Sequence, residues 1–326
     1  MRALLICEGL LQAIKRKEIV EGYVHSVFNG ACNIETEHEF ITLLSSDKNM
    51  GPMSVLVDDQ IKVNFIELKI VQDLKFIFNV NVIYNSEKNI FIRLESAQIW
   101  SSQVLIKPTS CAEKDLLENV KVLENALSEY GRFYGIAPMV SLLSDEFPDL
   151  LLKRFCIYSC ERNFEFIKYR FINFIKDLLR VDMKEISERA KCIIGFGAGL
   201  TPAMDDFISG LMISFIYIGN YYDLNISNIY KLNKNIISVS LNKTTKVSSQ
   251  MLKHSAIGET NDAVRELLNS LTNHSSIERI RSTLFNTINY GETSGTDTAL
   301  GIYVGCKILT NIKYRRVYLN ESLCRY

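Results

Sequence analysis

The chain has 326 residues, 47% hydrophobic and 23% charged, and its 37 Lys and Arg balance its 37 Asp and Glu. Such a composition supplies ample core for one large domain or two smaller ones. A neutral balance with no dense basic block lacks the electrostatic footprint of a nucleic-acid or anionic-membrane binder, so small molecules and other proteins are the expected partners, with no nucleic acid and no membrane.

The first residues, MRALLICEGLLQAIKRKE, form a short apolar segment that carries Glu8 and lacks a small-residue cleavage signal, so they do not read as a secretory leader. The longest apolar run, 207–218, is too short to span a bilayer. The expectation is a soluble, cytoplasmic protein.

From about Gly22 to Val104 the chain reads as β-rich. The runs 39–44, 54–57, 76–84 and 90–94 are short, rich in Val, Ile and Phe, and partly alternating, with turn signals at Asn29-Gly30, 46–49, Gly51-Pro52 and 85–89. A small sandwich or barrel is expected, and the single tryptophan, Trp100, ends the last of these runs as a core or interface residue. Lys107-Pro108-Thr109-Ser110 reads as a linker, which gives a β-rich domain over 1–108 and a mainly helical one over 109–326. The fold class is α+β, with glycine-rich loops at helix N-termini.

Helical spacing begins at once after the linker, with Leu116, Val120, Leu123 and Leu127, and recurs over 164–181. Further helices are expected over 231–242, 246–257, 259–272, 276–289 and 297–310, with a loop at 222–228 and a short terminal strand at 316–319. Eight cysteines are scattered, and only Cys156 and Cys160 are close, without a nearby histidine, so no zinc site is indicated. Four histidines leave little room for a Ser-His-Asp or Cys-His scheme.

Two stretches stand out chemically. In GFGAGLTPAMDDFISG, Gly195, Gly197 and Gly199 suit a loop with positive φ, Thr201 suits an N-cap and Pro202 the first helical position. Asp205 and Asp206 then fall in the first turns of a helix that is apolar on nearly every face, hence buried. Two carboxylates at the head of a buried helix need compensation. Either they face solvent and favour the helix dipole, or they belong to a ligand site in which loop N–H groups take a phosphate or carboxylate. The glycine spacing matches neither a P-loop nor the dinucleotide fingerprint.

The second stretch, GETSGTDTALGIYVG, repeats the G-x-T-x-x-x-D order. Gly291, Thr293 and Asp297 correspond to Gly199, Thr201 and Asp205 at one offset of 92 residues, and Ser294 and Gly295 lie in the same loop. Two such helix starts could face one ligand. Neighbours on a helix point about 100° apart, so Asp205 and Asp206 should differ in role; Asp205, with its counterpart Asp297, is the expected functional member. Between the two stretches, Thr245, Ser248 and Ser249 read as helix caps or as the lining of a polar pocket. His254 and His25 are weak candidates for a base.

The glycine motif resembles the GxGxGLTPxGDDFLxG signature of a bacterial family that includes the AllH subunit of oxamate carbamoyltransferase. The resemblance extends to GYVHSVFNGACNI, to the Gly51-Pro52 turn, to the Thr/Ser-rich stretch ending in Gly258 and to TSGTDTALGIYVG, nearly the whole chain. It implies a subunit of a complex that interconverts oxalurate plus phosphate with oxamate plus carbamoyl phosphate in anaerobic allantoin and purine-nitrogen use. Other subunits and a small anionic substrate such as carbamoyl phosphate or oxamate would be the partners; the alternative is a non-catalytic metabolite-binding or assembly subunit. Where the family has a small Ser-Gly pair, this chain has Ala203-Met204. In this reading Asp205, Asp206 and Asp297 are catalytic, while Gly195, Gly197, Gly199, Thr201, Thr293, Ser294 and Gly295 bind the ligand. Loop N–H donors and carboxylate acceptors are one way to hold such a ligand, and a divalent metal (Mg) bridging a carboxylate and a phosphate is the other.

Overall fold

In a computed structural model of the chain, the described residues are 1–58, 62–103, 111–150, 152–155, 162–238 and 241–314. The expected linker at 107–110, the Cys156/Cys160 pair and the terminal strand at 316–319 lie outside them. Contacts divide the chain into two units, Met1–Val104 with Glu259–Asp262, and Leu105–Gly258 with Ala263–Tyr326.

The first unit holds strands β1 (Arg2–Cys7), β2 (Glu21–Phe28), β3 (Ala31–Glu35), β4 (Phe40–Ser45), β5 (Ser54–Asp58), β6 (Lys75–Phe78), β7 (Val82–Asn85), β8 (Ile90–Arg93) and β9 (Gln98–Trp100), and helix α1 (Glu8–Lys15). Their order is β5-β4-β3-β2-β6-β7-β8-β1-β9, and a β1–β5 pairing closes eight strands into a barrel with β9 as an extra strand. Closure removes the exposed edges that an open sheet would present. Alternate residues such as Val24, Ile34, Ile41, Leu43, Val55, Phe76 and Ile92 fill the interior.

Two features depart from the sequence reading. The N-terminal apolar segment is itself a barrel strand, antiparallel to β5 and parallel to β9; Glu8, which interrupts its hydrophobicity, is the first residue of α1. The run 76–84 is two strands, because Asn79 and Val82 exchange backbone hydrogen bonds of 2.9 and 3.2 Å and reverse the chain. A hairpin keeps the in–out alternation on both sides of such a turn, so one periodicity covers two strands. Trp100 is 8% exposed and its indole N–H donates to Asp262 at 2.8 Å, within the same unit.

The second unit is helical: α2 (Glu113–Tyr130), α3 (Ala137–Glu146), α4 (Arg162–Arg180), α5 (Met183–Lys191), α6 (Ala203–Tyr221), α7 (Ile226–Ile237), α8 (Lys246–Ala256), α9 (Asp262–Thr272, whose first residue groups with the barrel), α10 (Ile277–Ile288) and α11 (Ser294–Tyr314). Helix α7 starts five residues before the expected 231, since Asn225 in the presumed loop caps it by accepting from the Asn228 amide.

At the centre, α6 is buried from Met204 to Gly219. It lies side by side with α11. A Cβ on Gly301 would come within 2.0 Å of the Phe207 carbonyl oxygen, one on Gly210 within 2.0 Å of that of Thr298, and one on Gly305 within 1.9 Å of the Ser214 hydroxyl. Together with the Thr201–Ser294 contact of 3.1 Å, these pairs advance along both helices in the same sense. The two helices are therefore parallel, and both N-termini lie at one end.

Candidate functional site

The parallel pairing brings the two glycine/threonine motifs together. The hydroxyls of Thr201 and Ser294 are 3.1 Å apart, and Asp205, Asp206 and Asp297 sit in the first turns of α6 and α11 with only 0%, 2% and 0% of their surfaces exposed. The solvent-facing account of these carboxylates is thereby removed, and burial without compensation would cost several kcal/mol for each, by order of magnitude.

Each carboxylate is treated differently. Asp205 Oδ1 accepts the Gly195 amide at 2.7 Å, and Oδ2 accepts the hydroxyls of Ser248, at 2.6 Å, and Thr244. Burial raises its pKa, and these three donors work against the rise. Asp297 Oδ1 accepts the Ile136 amide at 2.8 Å, but its Oδ2 is buried without a hydrogen-bond partner. Burial pushes its pKa up to about 7, opposed by the Ile136 amide and the Thr293 hydroxyl. Asp206 Oδ2 is likewise buried and unpartnered. Burial, with the neighbouring charges of Asp297 and Asp205, holds its pKa well above the carboxylate range, against the pull of the Ser294 and Thr201 hydroxyls. None of the three carboxylates forms an ion pair among the described residues, and no cation contributes to their electrostatics.

The glycine loop follows from its close contacts. At Gly195, φ is +85° and a Cβ would lie 2.2 Å from the Lys243 carbonyl oxygen; at Gly197, φ is +129° and a Cβ would lie 2.4 Å from the Ala203 amide nitrogen. Pro202, not Thr201, is the N-cap of α6, and no side chain caps it; Thr201 is turned to Ser294 instead. Thr245 does cap α8, accepting the Ser248 amide at 3.1 Å, and donates to the Leu200 carbonyl. So the 244–248 segment holds the loop from behind.

Which amides remain for a ligand can be counted off. That of Gly195 goes to Asp205, and that of Gly295 to the Tyr290 carbonyl at 3.0 Å, with Gly295 packed on the end of α10. Both amides, expected from the sequence to serve a ligand, are thus hydrogen-bonded within the chain. The amides of residues 197–201 make no hydrogen bond to any described residue, and 197–199 are exposed. That leaves a short run of unspent N–H donors in the loop leading into α6, while Asp206 in its first turn and Asp297 in the first turn of α11 each keep a buried oxygen without a partner.

Residues 193–306 match the family model described as oxamate carbamoyltransferase subunit AllH, and residues 2–99 match that of the AllH family N-terminal domain. The chain belongs to the AllH family. No solved structure matches it. The AllH match spans both motifs, from the glycine loop through Asp297. It implies other subunits, since the family is a subunit of oxamate carbamoyltransferase. Among the described residues no helix is long and apolar enough to cross a membrane.

Sequence reasoning missed the strap from α2 to α3. Gly135 lies so close to Asp297 that a Cβ would meet either carboxylate oxygen at 2.3 Å, and Ile136 supplies the amide. Arg132 donates its amide to Thr296 at 3.0 Å and its guanidinium to the Gly291 and Glu292 carbonyls and to Asn289, at 3.0 to 3.3 Å. A glycine three residues before Pro138, which stands in the first turn of α3, was the available signal. Tyr290 was also missed: half its surface is exposed, while its phenol is raised in pKa by burial and by the charge of Asp206. Among the described residues no three His, Cys, Asp or Glu side chains group so as to hold a metal ion.

Proposed function

We propose that this chain binds the small anionic substrate of an oxamate carbamoyltransferase at the paired starts of α6 and α11, and contributes residues to the transfer of a carbamoyl group between oxamate and phosphate. The reading is supported above all by one juxtaposition: the Thr201–Ser294 contact joins the starts of α6 and α11, so the partnerless, buried oxygens of Asp206 and Asp297 and the unspent amides of 197–201 belong to one pair of helix starts. Carbamoyl phosphate, oxalurate and oxamate all combine an oxyanion with an amide. Loop amides and a helix N-terminus suit the oxyanion, while carboxyl oxygens suit the amide NH2.

In this assignment Asp206 and Asp297 touch the ligand. Thr201, Ser294 and Thr293 line the same place, and Gly197 and Gly199 allow the loop its shape. Asp205 moves from the expected functional role to a structural one, because both its oxygens are already occupied by the loop and α8. The pathway, anaerobic use of allantoin and purine nitrogen in the cytoplasm, follows from the family resemblance.

Calorimetric titration of the assembled complex with carbamoyl phosphate, oxamate and phosphate, with and without Mg, tests this. Binding that is weakened at least tenfold by Asp206→Ala or Asp297→Ala is expected. Binding indifferent to both variants would move the site elsewhere, and a complex that turns over with both variants intact would make this chain an assembly subunit.

A further inference from the structure

The charge balance of the site, on the reading just given, is peculiar. An anion is to enter a place that already holds three buried carboxyl groups, and among the described residues no Lys, Arg or His faces any of them. Asp205 faces the Gly195 amide and the hydroxyls of Thr244 and Ser248 from the loop and α8. Asp206 faces Ser294 and Asp297 from α11, Thr201 and Asp205 from its own side, and Tyr290 from the loop after α10. Asp297 faces the Ile136 amide at the start of α3 and the Thr293 hydroxyl. The guanidinium of Arg132, whose amide bonds Thr296 beside Asp297, is spent on the 289–292 turn. Helix N-termini and amides offset part of this negative charge, each helix end being worth about half an elementary charge. They do not offset three carboxylates and a ligand anion together.

We propose that the ligand-bound site holds both Asp206 and Asp297 as neutral carboxylic acids, so that above neutrality binding of the anion is coupled to uptake of a proton. The geometry favours this, since each residue keeps one oxygen buried and without a partner. A carboxylic acid turns that oxygen into a donor or leaves it a weak acceptor; a carboxylate leaves a bare buried charge. A neutral carboxyl also matches a primary amide at two points, taking its N–H on the carbonyl oxygen and giving its own O–H to the amide carbonyl. The elevated pKa values of the pair agree in direction, burial being the first cause in both and the charge of Asp297 adding to the rise at Asp206.

The test is calorimetric titration of the assembled complex with oxamate, whose carboxylate stays ionised throughout, in buffers of different ionisation enthalpy between pH 6 and pH 8.5. Protons taken up then belong to the protein. Uptake should be near zero at pH 6 and approach one proton per oxamate at pH 8, with the dissociation constant rising by up to about tenfold per pH unit above neutrality. Asp297→Asn should lower the uptake. Oxamate binding at pH 8 without proton uptake, or binding that tightens as pH rises, would overturn the proposal while leaving the location of the site intact. Absence of oxamate binding at every pH would instead overturn the site reading and this inference with it.

Discussion

The starts of α6 and α11 carry the same G-x-T-x-x-x-D order at matched positions, yet they dispose of their aspartates in different ways. Asp205 is closed off by three donors drawn from its own loop and from α8. Asp297 has a single amide from the head of α3 and keeps one oxygen bare. The motif fixes where a carboxylate sits; the neighbours decide whether it has valence to spare. Asp206, one step along α6, faces the α11 side and shares the unsatisfied condition of Asp297 rather than that of Asp205.

The largest expected consequence is in stability against pH. A buried Asp297 with a pKa near 7 stays protonated in the folded chain while the unfolded chain ionises from about pH 4. Over that window the folded state holds more protons, so the contribution of Asp297 to stability falls as pH rises and levels off above about pH 7 after a loss of at most about 4 kcal/mol. Denaturant melts of wild type and Asp297→Asn between pH 4 and pH 8 should diverge, with the variant the flatter. Parallel curves would place Asp297 with Asp205.

Next in size is turnover. An amide can neither give nor take a proton, so Asp206→Asn and Asp297→Asn should each cut the rate of the reconstituted complex by about 10²-fold or more, with melting temperature at pH 7 not lowered. Smallest is the effect of Asp205→Asn, which should cost about 1–3 kcal/mol in folding through its lost charge-assisted hydrogen bonds while the folded fraction keeps its rate within a few-fold. Full stability with lost turnover would reverse the comparison.

Much of this was legible in the chain. Short alternating strands with Asn-Gly and Gly-Pro turns pointed to a small β unit, and the buried helix after Thr201-Pro202 was visible in its hydrophobicity. The repeated motif also predicted two similar helix starts. What it did not reveal was the inequality of the two aspartates, because the decisive partner of Asp297 is a backbone amide 161 residues away, and an amide carries no side-chain signature. Barrel closure was hidden for a similar reason. The N-terminal strand pairs with β5, more than 50 residues along, so nothing local marks it as the closing element. The start of α7 was misplaced because an Asn-rich stretch reads alike as loop and as cap.

The central claim, that the ligand sits between the two helix starts of this chain, is tested most directly by a structure of the assembled complex with oxamate bound. The account predicts the oxamate carboxylate on the amides of 197–201 and its amide against Asp206 and Asp297, with Asp205 still bonded to Gly195 and Ser248. Oxamate held entirely by another subunit, with both bare oxygens still unpartnered, would contradict it.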